Sequence, residues 1–153
     1  MHHAEELRYL VLAAQREGNR AFARRLRPLG LTPSQAEVLR LLDERQPLSL
    51  TGLGELLVCE SGTNPSRLVD RLVTTGLVRR DVAGHDRRNV ELSLTDDGRT
   101  AAGRVAEVEA ELHQFIDGAL GDRDPSPVTD FLWALVAGRP AGDALSRRGG
   151  RPG

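Results

Sequence analysis

The sequence predicts a mostly α-helical domain that carries one small β-hairpin, and three observations lead to this prediction. Residues 90–94 alternate apolar and polar side chains, as a strand with one buried face does. A second short run, residues 77–82, precedes it, and the connection contains glycine, aspartate and two adjacent arginines, which is typical of a solvent-exposed hairpin. The segments on both sides of the hairpin have apolar residues at helical spacing.

Two helices are predicted in the first third of the chain. Residues 4–27 form the first, with apolar side chains along one side. The second begins at Thr32, because threonine is a good N-cap, Pro33 suits the first helical position and Gln35 completes a capping box. It ends at about Glu44, before the dipeptide Gln46-Pro47.

Two shorter helices are predicted directly before the hairpin. The third begins at Ser49 or Thr51, and the polar turn 60–64 follows it. The fourth has Pro65 in its first turn and ends at Gly76. Because helix, turn, helix and hairpin follow in this order, we interpret about residues 31–98 as a winged helix-turn-helix module, whose fourth helix is the recognition helix.

Two more helices are predicted after the hairpin. The fifth begins after its cap Thr95 and ends at Gly121, and the sixth begins at Ser126-Pro127. Helices in 4–29 and 99–137 carry more apolar surface than the small module can cover. We therefore expect them to form a dimerisation layer, with a monomeric helical cap as the alternative. Residues 1–137 make a single domain in this interpretation. The glycine-, proline- and arginine-rich segment 138–153 is expected to be a disordered tail.

The distribution of charge favours DNA as the partner. Hydrophobic residues make up 39% and charged residues 28% of the chain, which indicates a soluble globular protein with a net charge of −1. Residues 61–95 contain six arginines and four acids, a net charge of +2 that leaves −3 for the remainder. A basic patch on an acidic body fits a protein that meets double-stranded DNA with one face.

Other classes of function find little support in the sequence. No nucleophile triad, phosphate-binding loop or paired-carboxylate motif is present, so we do not expect an enzyme or a cofactor. The four histidines are scattered without the spacing of metal ligands, and we expect no metal site. The single Cys59 fits a reducing compartment and is expected to be buried. Charged residues near the N-terminus and the lack of a long apolar run predict a cytoplasmic protein without a signal peptide or membrane span.

Two groups of side chains are candidates for contact with DNA. Four stand near the start of the recognition helix and one lies a turn further along, and these are Thr63, Asn64, Ser66, Arg67 and Arg71. Arginine reads guanine, asparagine reads adenine, and serine or threonine contacts bases or phosphate. Thr63 and Asn64 have the alternative role of capping this helix. At the wing tip, Arg87 or Arg88 is expected to enter the minor groove, while Asp86 fixes the turn or pairs with an arginine.

Three motifs, in their order along the chain, resemble those of the MarR family of bacterial transcriptional regulators. The similarity covers about residues 5 to 137, although the turn at residues 58–65 is slightly longer than in many members. The matching segments are Gly30-Leu31-Thr32-Pro33-Ser34-Gln35 with Val38-Leu39, then Leu68-Val69-Asp70-Arg71-Leu72 with Gly76-Leu77-Val78-Arg79-Arg80, and finally Asp86-Arg87-Arg88 leading to Leu92-Ser93-Leu94-Thr95-Asp96-Asp97-Gly98.

The resemblance implies a homodimer of winged helix-turn-helix subunits that binds a pseudo-palindromic operator, mostly as a repressor. Many members are released by small aromatic or phenolic effectors, and some by oxidation or metals. It also implies that Asp70 supports a wing arginine, which would be Arg88, with a solvated charge as the alternative. An effector pocket would lie between the dimerisation layer and the DNA-binding module. Two alternatives remain at this stage: a winged-helix module that binds another protein, and a redox- or metal-responsive regulator.

Overall fold

The computed structural model describes residues 1–59, 65–82, 84 and 89–151, and the mostly helical fold with a small β-wing is confirmed there. A short 3-10 turn, Arg27–Leu29, follows the first helix. The elements in chain order are α1 (His3–Leu26), α2 (Pro33–Arg45), β1 (Leu48–Ser49), α3 (Leu50–Gly54), α4 (Ser66–Thr74), β2 (Val78–Val82), β3 (Val90–Leu94), α5 (Asp96–Leu120), α6 (Ser126–Val136) and α7 (Pro140–Arg147).

The predicted start of α2 and the predicted end of α5 are confirmed. The Thr32 hydroxyl accepts a hydrogen bond from the Gln35 N–H at 3.3 Å, and the Gln35 side chain accepts one from the Thr32 N–H at 3.0 Å. This reciprocal pair is the capping box that begins α2. Gly121 has a φ of 60°, which a glycine adopts readily, and it ends α5 as predicted.

The hairpin of β2 and β3 forms with the predicted alternation. In β3, Leu92 and Leu94 are buried against the helices, and Val78 of β2 pairs with Leu94 in antiparallel register. β1 pairs with the other edge of β3, with Leu48 opposite Leu92, so the sheet order is β1-β3-β2. This third strand has only two residues, too few for a period-2 pattern to be recognised in the sequence.

One hydrophobic core joins the helices to the sheet, and α2 lies at its centre. The largest fully buried side chains come from α1, α2, α3, α4, both hairpin strands and α5; they are Leu26, Leu39, Leu41, Leu42, Leu53, Leu72, Leu92, Leu94, Val38, Val69, Val78 and Val105. Arg40 of α2 donates to the Glu109 carboxylate of α5 at 2.9 Å. The module is therefore packed directly on α5.

Three elements meet at Thr95. Its hydroxyl donates to the Gly76 carbonyl at 2.6 Å and accepts from the Gly98 N–H at 3.0 Å, while its own N–H donates to the Leu77 carbonyl at 3.1 Å. Gly98 packs so closely that a Cβ there would lie 2.0 Å from the Leu77 oxygen. The residues just after α4, the base of the wing and the start of α5 are thus held at one junction.

The helices assigned to a dimerisation layer expose large apolar side chains in the single chain. No residue of α6 is buried. The exposed set on α1, α5 and α6 is Leu7, Tyr9, Leu10, Val11, Leu12, Phe115, Ile116, Val128, Phe131, Leu132 and Leu135. An apolar surface of this extent is typical of a face that another protein surface covers.

The expectation of a disordered tail after residue 137 is wrong for residues 140–147, which form α7. Pro140 occupies the first turn, where a proline costs little, and Ala144 is buried. A Cβ at Gly142 would lie 2.1 Å from the Val136 oxygen, so only glycine allows this close approach to α6. The small residues that suggested disorder in the sequence are the ones that let the segment pack.

Candidate nucleic-acid interface

The recognition helix α4 separates an apolar face from a polar one. Val69 and Leu72 are fully buried against the core. Arg67 and Arg71 are exposed, and Ser66 is partly exposed at the first turn. The three side chains that the sequence predicted as DNA contacts on this helix therefore remain accessible outside the core.

The helix begins slightly later than the sequence predicts. Pro65 is the N-cap residue and makes no side-chain capping bond, whereas the sequence placed it inside the first turn. Thr63 and Asn64, with their alternative roles as caps or base contacts, lie outside the described residues, and so do Asp86, Arg87 and Arg88. Their roles stay predictions.

Asp70 forms an ion pair with the wing. Its carboxylate accepts a hydrogen bond from the Arg80 guanidinium of β2, and both side chains are partly exposed. The sequence assigned this carboxylate to Arg88, which lies outside the described residues, and it missed Arg80 as a partner. A signal was present, because Arg80 follows the buried Val78 by two residues and so lies on the same face of the strand.

Glu37 is a second residue that sequence reasoning missed. Its carboxylate is only 7% exposed, and its neighbours on α2, Ala36, Val38 and Leu39, are fully buried apolar residues. It accepts hydrogen bonds from the N–H groups of Val58 at 2.7 Å and Cys59 at 2.8 Å, and from Arg148 Nη1 at 2.7 Å. An acid among buried apolar residues was the available signal, since such a charge needs several donors.

Cys59 is exposed, so the expectation that it is buried is wrong. The reason lies in the backbone: α3 ends at Gly54, and the chain leaves the core after Leu57, which is 4% exposed. Glu37 then holds residue 59 by its backbone N–H. The thiol consequently lies at the surface, next to the turn that precedes the recognition helix.

A cleft of about 290 Å³ lies between the recognition helix and the wing. Leu50, Val90 and Leu92 supply its apolar walls, and the polar lining is Ser66, Asp70 and Arg80. The sequence placed an effector pocket elsewhere, between the dimerisation layer and the module, and that stays a prediction. Within the described ranges, no group of three or more His, Cys, Asp and Glu could hold a metal ion. No helix in that part of the chain is long and apolar enough to cross a membrane.

Comparison with known proteins assigns this arrangement to a family. The model of the MarR family matches residues 29–89, which contain α2, β1, α3, the recognition helix and the first strand of the hairpin. The organic hydroperoxide resistance transcriptional regulator of Bacillus subtilis is 31% identical over 103 residues, which cover 67% of this chain and 69% of that protein.

Solved structures agree with this assignment. A mutant MarR from E. coli, complexed with operator DNA, is 25% identical and superposes with a TM-score of 0.74, covering 86% of this chain and 94% of that one. NadR in complex with 4-hydroxyphenylacetate is also 25% identical, with a TM-score of 0.67 and coverages of 87% and 94%.

Proposed function

Because this chain belongs to the MarR family, we propose that it is a DNA-binding transcriptional regulator that binds a pseudo-palindromic operator as a homodimer. The observation that carries the proposal is the exposed polar face of α4, which presents Arg67 and Arg71. Asp70 on the same helix pairs with Arg80 of the wing, so helix and wing lie next to each other. Helix and wing together present donors suited to major-groove bases and to phosphates.

The contacts divide by chemistry. Arg67, near the start of the recognition helix, is assigned to a base edge, and Ser66 to a base or phosphate close to it. Arg71 is assigned to phosphate. Thr63 and Asn64 before the helix, and Arg87 and Arg88 in the wing, complete the proposed interface on the basis of the sequence, with Asp86 supporting the wing.

The dimer follows from the exposed apolar faces of α1, α5 and α6. Two recognition helices related by a twofold axis read two half-sites about one turn of DNA apart, which is why the operator is expected to be palindromic. The protein would act in the cytoplasm, where it meets the bacterial chromosome.

Repression with release by a small molecule is the proposed mode of regulation. The MarR family implies it, and the similar NadR was solved with 4-hydroxyphenylacetate bound. A ligand that binds the DNA-competent and DNA-free arrangements with different affinity shifts the population between them. The five aromatic residues of the chain offer few ring partners for a stacked aromatic effector.

The test is a salt titration of binding to palindromic duplexes from the region upstream of the gene. The expected result is one duplex bound much more tightly than a scrambled duplex of equal length, by about 10³-fold or more. The logarithm of its binding constant should fall linearly with the logarithm of the salt concentration. Equal affinity for both duplexes at every salt concentration would contradict a specific regulator.

A further inference from the structure

The segment after α6 reaches Glu37 and the residues that follow α3. Arg148 Nη1 donates to Glu37 Oε1 at 2.7 Å, and the same carboxylate accepts the N–H groups of Val58 and Cys59. One residue earlier, Arg147 Nη1 donates to the Glu55 carbonyl at 3.3 Å. The end of the chain therefore reaches the residues between α3 and α4.

We infer that Arg148 is a positioning residue for DNA recognition. It acts through Glu37, which holds the backbone at residues 58 and 59 in the position that presents α4 correctly to DNA. This inference rests on the proposed function. It adds a part of the chain, α7 and the residues after it, that lies outside the proposed DNA-contact residues.

Electrostatics supports this role. The Glu37 carboxylate is 7% exposed, and two neutral N–H groups do not balance its charge. Arg148 supplies the compensating charge through a charge-assisted hydrogen bond. Without it, the buried anion is strongly destabilised, and it must draw in water or move towards it. Either change displaces the N–H groups of Val58 and Cys59, which the carboxylate holds.

The position of Arg148 is in turn fixed by α6. Gly142 lies against the Val136 carbonyl, and a Cβ at Gly150 would come within 3.1 Å of Trp133 Cζ2. Arg151, beyond α7, pairs with Asp130 of α6. The C-terminal segment thus connects α6, part of the proposed dimerisation layer, to residues 55–59 by a route that does not pass through α5.

The experiment measures the affinity of the full-length dimer for its operator duplex and for a scrambled duplex, each over a range of salt concentrations. Arg148→Gln is expected to weaken operator binding roughly threefold to thirtyfold. Binding to the scrambled duplex and the salt slope should stay at wild-type values. Hydrogen exchange should become faster at the amides of Val58 and Cys59. Arg148→Lys, which keeps the charge, should restore part of the operator affinity.

Arg139→Gln is the matched control, because it removes the same charge from an exposed position at the start of α7, on a residue that takes no part in the Glu37 or Asp130 contacts, and it should bind like wild type. Wild-type operator affinity in Arg148→Gln would overturn the inference. An equal loss on both duplexes, with a salt slope lower by about one, would also overturn it, because Arg148 would then contact phosphate.

Folding is checked at the assay temperature by circular dichroism. If Arg148→Gln does not fold, Glu37→Gln takes its place, since it preserves the side-chain shape. A selective loss of operator affinity then supports the inference, and wild-type affinity overturns it. A wild-type protein that binds no duplex selectively would instead reject the proposed function, so the two failures are distinguishable.

Discussion

Asp70 of the recognition helix and Arg80 of strand β2 form an ion pair that joins the two elements we propose to contact DNA. The carboxylate lies on the exposed side of α4, where it would repel phosphate if it were unpaired. The arginine lies on a strand that continues into the wing tip. The pair therefore links strand β2 of the wing directly to the recognition helix.

We predict that Asp70→Ala and Arg80→Ala each weaken operator binding and that the double variant loses less than the sum. The coupling energy is expected to be about 0.5–3 kcal/mol. Thermal stability should change little, since exposed pairs contribute roughly 0–1 kcal/mol. A double-mutant cycle on operator affinity at fixed salt measures this coupling. The exposed pair Glu17–Arg20 on α1 serves as the control cycle.

Strict additivity would show that the Asp70–Arg80 contact does not matter for DNA binding. A second cycle with Arg88→Ala then tests the partner that the sequence predicted.

Arg67→Ala should weaken specific binding by about 1–3 kcal/mol and relax the preference at one base pair of each half-site. The reason is its exposed position in the first turn of α4. Affinities for operator variants with each base pair changed give the measurement, and Arg104→Ala, an exposed arginine on α5, is the control. A uniform loss on specific and random DNA would reassign Arg67 to phosphate.

Leu132→Asp should convert the homodimer to a monomer in solution. Leu132 is exposed in the single chain on α6, and a carboxylate buried there in the dimer would lack a partner. Light scattering at micromolar concentration reports the mass, with Ala134→Asp on the same helix as the control. A wild-type protein of one chain mass at this concentration would refute the dimer.

Two glycines of α5 should respond to alanine with opposite signs. Gly98→Ala places a Cβ against the Leu77 carbonyl, so the free energy of unfolding should fall by about 1–3 kcal/mol. Gly103→Ala meets nothing within 4 Å and should raise it by roughly 0.5–1 kcal/mol, because alanine favours the helix. Urea unfolding of both variants and the wild type measures these free energies. A stabilised Gly98→Ala protein would contradict the packing at the Thr95 junction.

Cys59→Ser should leave operator affinity unchanged, because Glu37 holds residue 59 by a backbone N–H that serine retains. The chain contains one cysteine, so we also expect the response to peroxide to stay the same. Operator affinity before and after peroxide treatment, in wild type and variant, provides the measurement. Release of wild type by peroxide that the variant lacks would identify Cys59 as a sensor, through a sulfenic acid or an intersubunit disulfide.

The parts of this fold that depend on local chemistry were predictable from the sequence. The capping box at Thr32, the cap at Thr95 and the alternation in β3 are each specified within a few residues. The contacts between residues far apart in sequence were not predictable, because they depend on how the strands and helices are placed relative to one another. Asp70 meets Arg80, and Glu37 meets Arg148 across most of the chain. Composition also misled at α7, where close packing on α6 outweighs low helix propensity.

The junction at Thr95 joins the base of the wing, the residues just after the recognition helix and the start of α5 through three hydrogen bonds. The 25 residues of α5 span about 37 Å, at about 1.5 Å per residue. A tilt of about 5° at one end displaces the other by roughly 3 Å, close to the spacing of about 3.4 Å between successive base pairs. A lever of this length would turn a slight rotation between subunits into a misplacement of about one base step without any change inside the module.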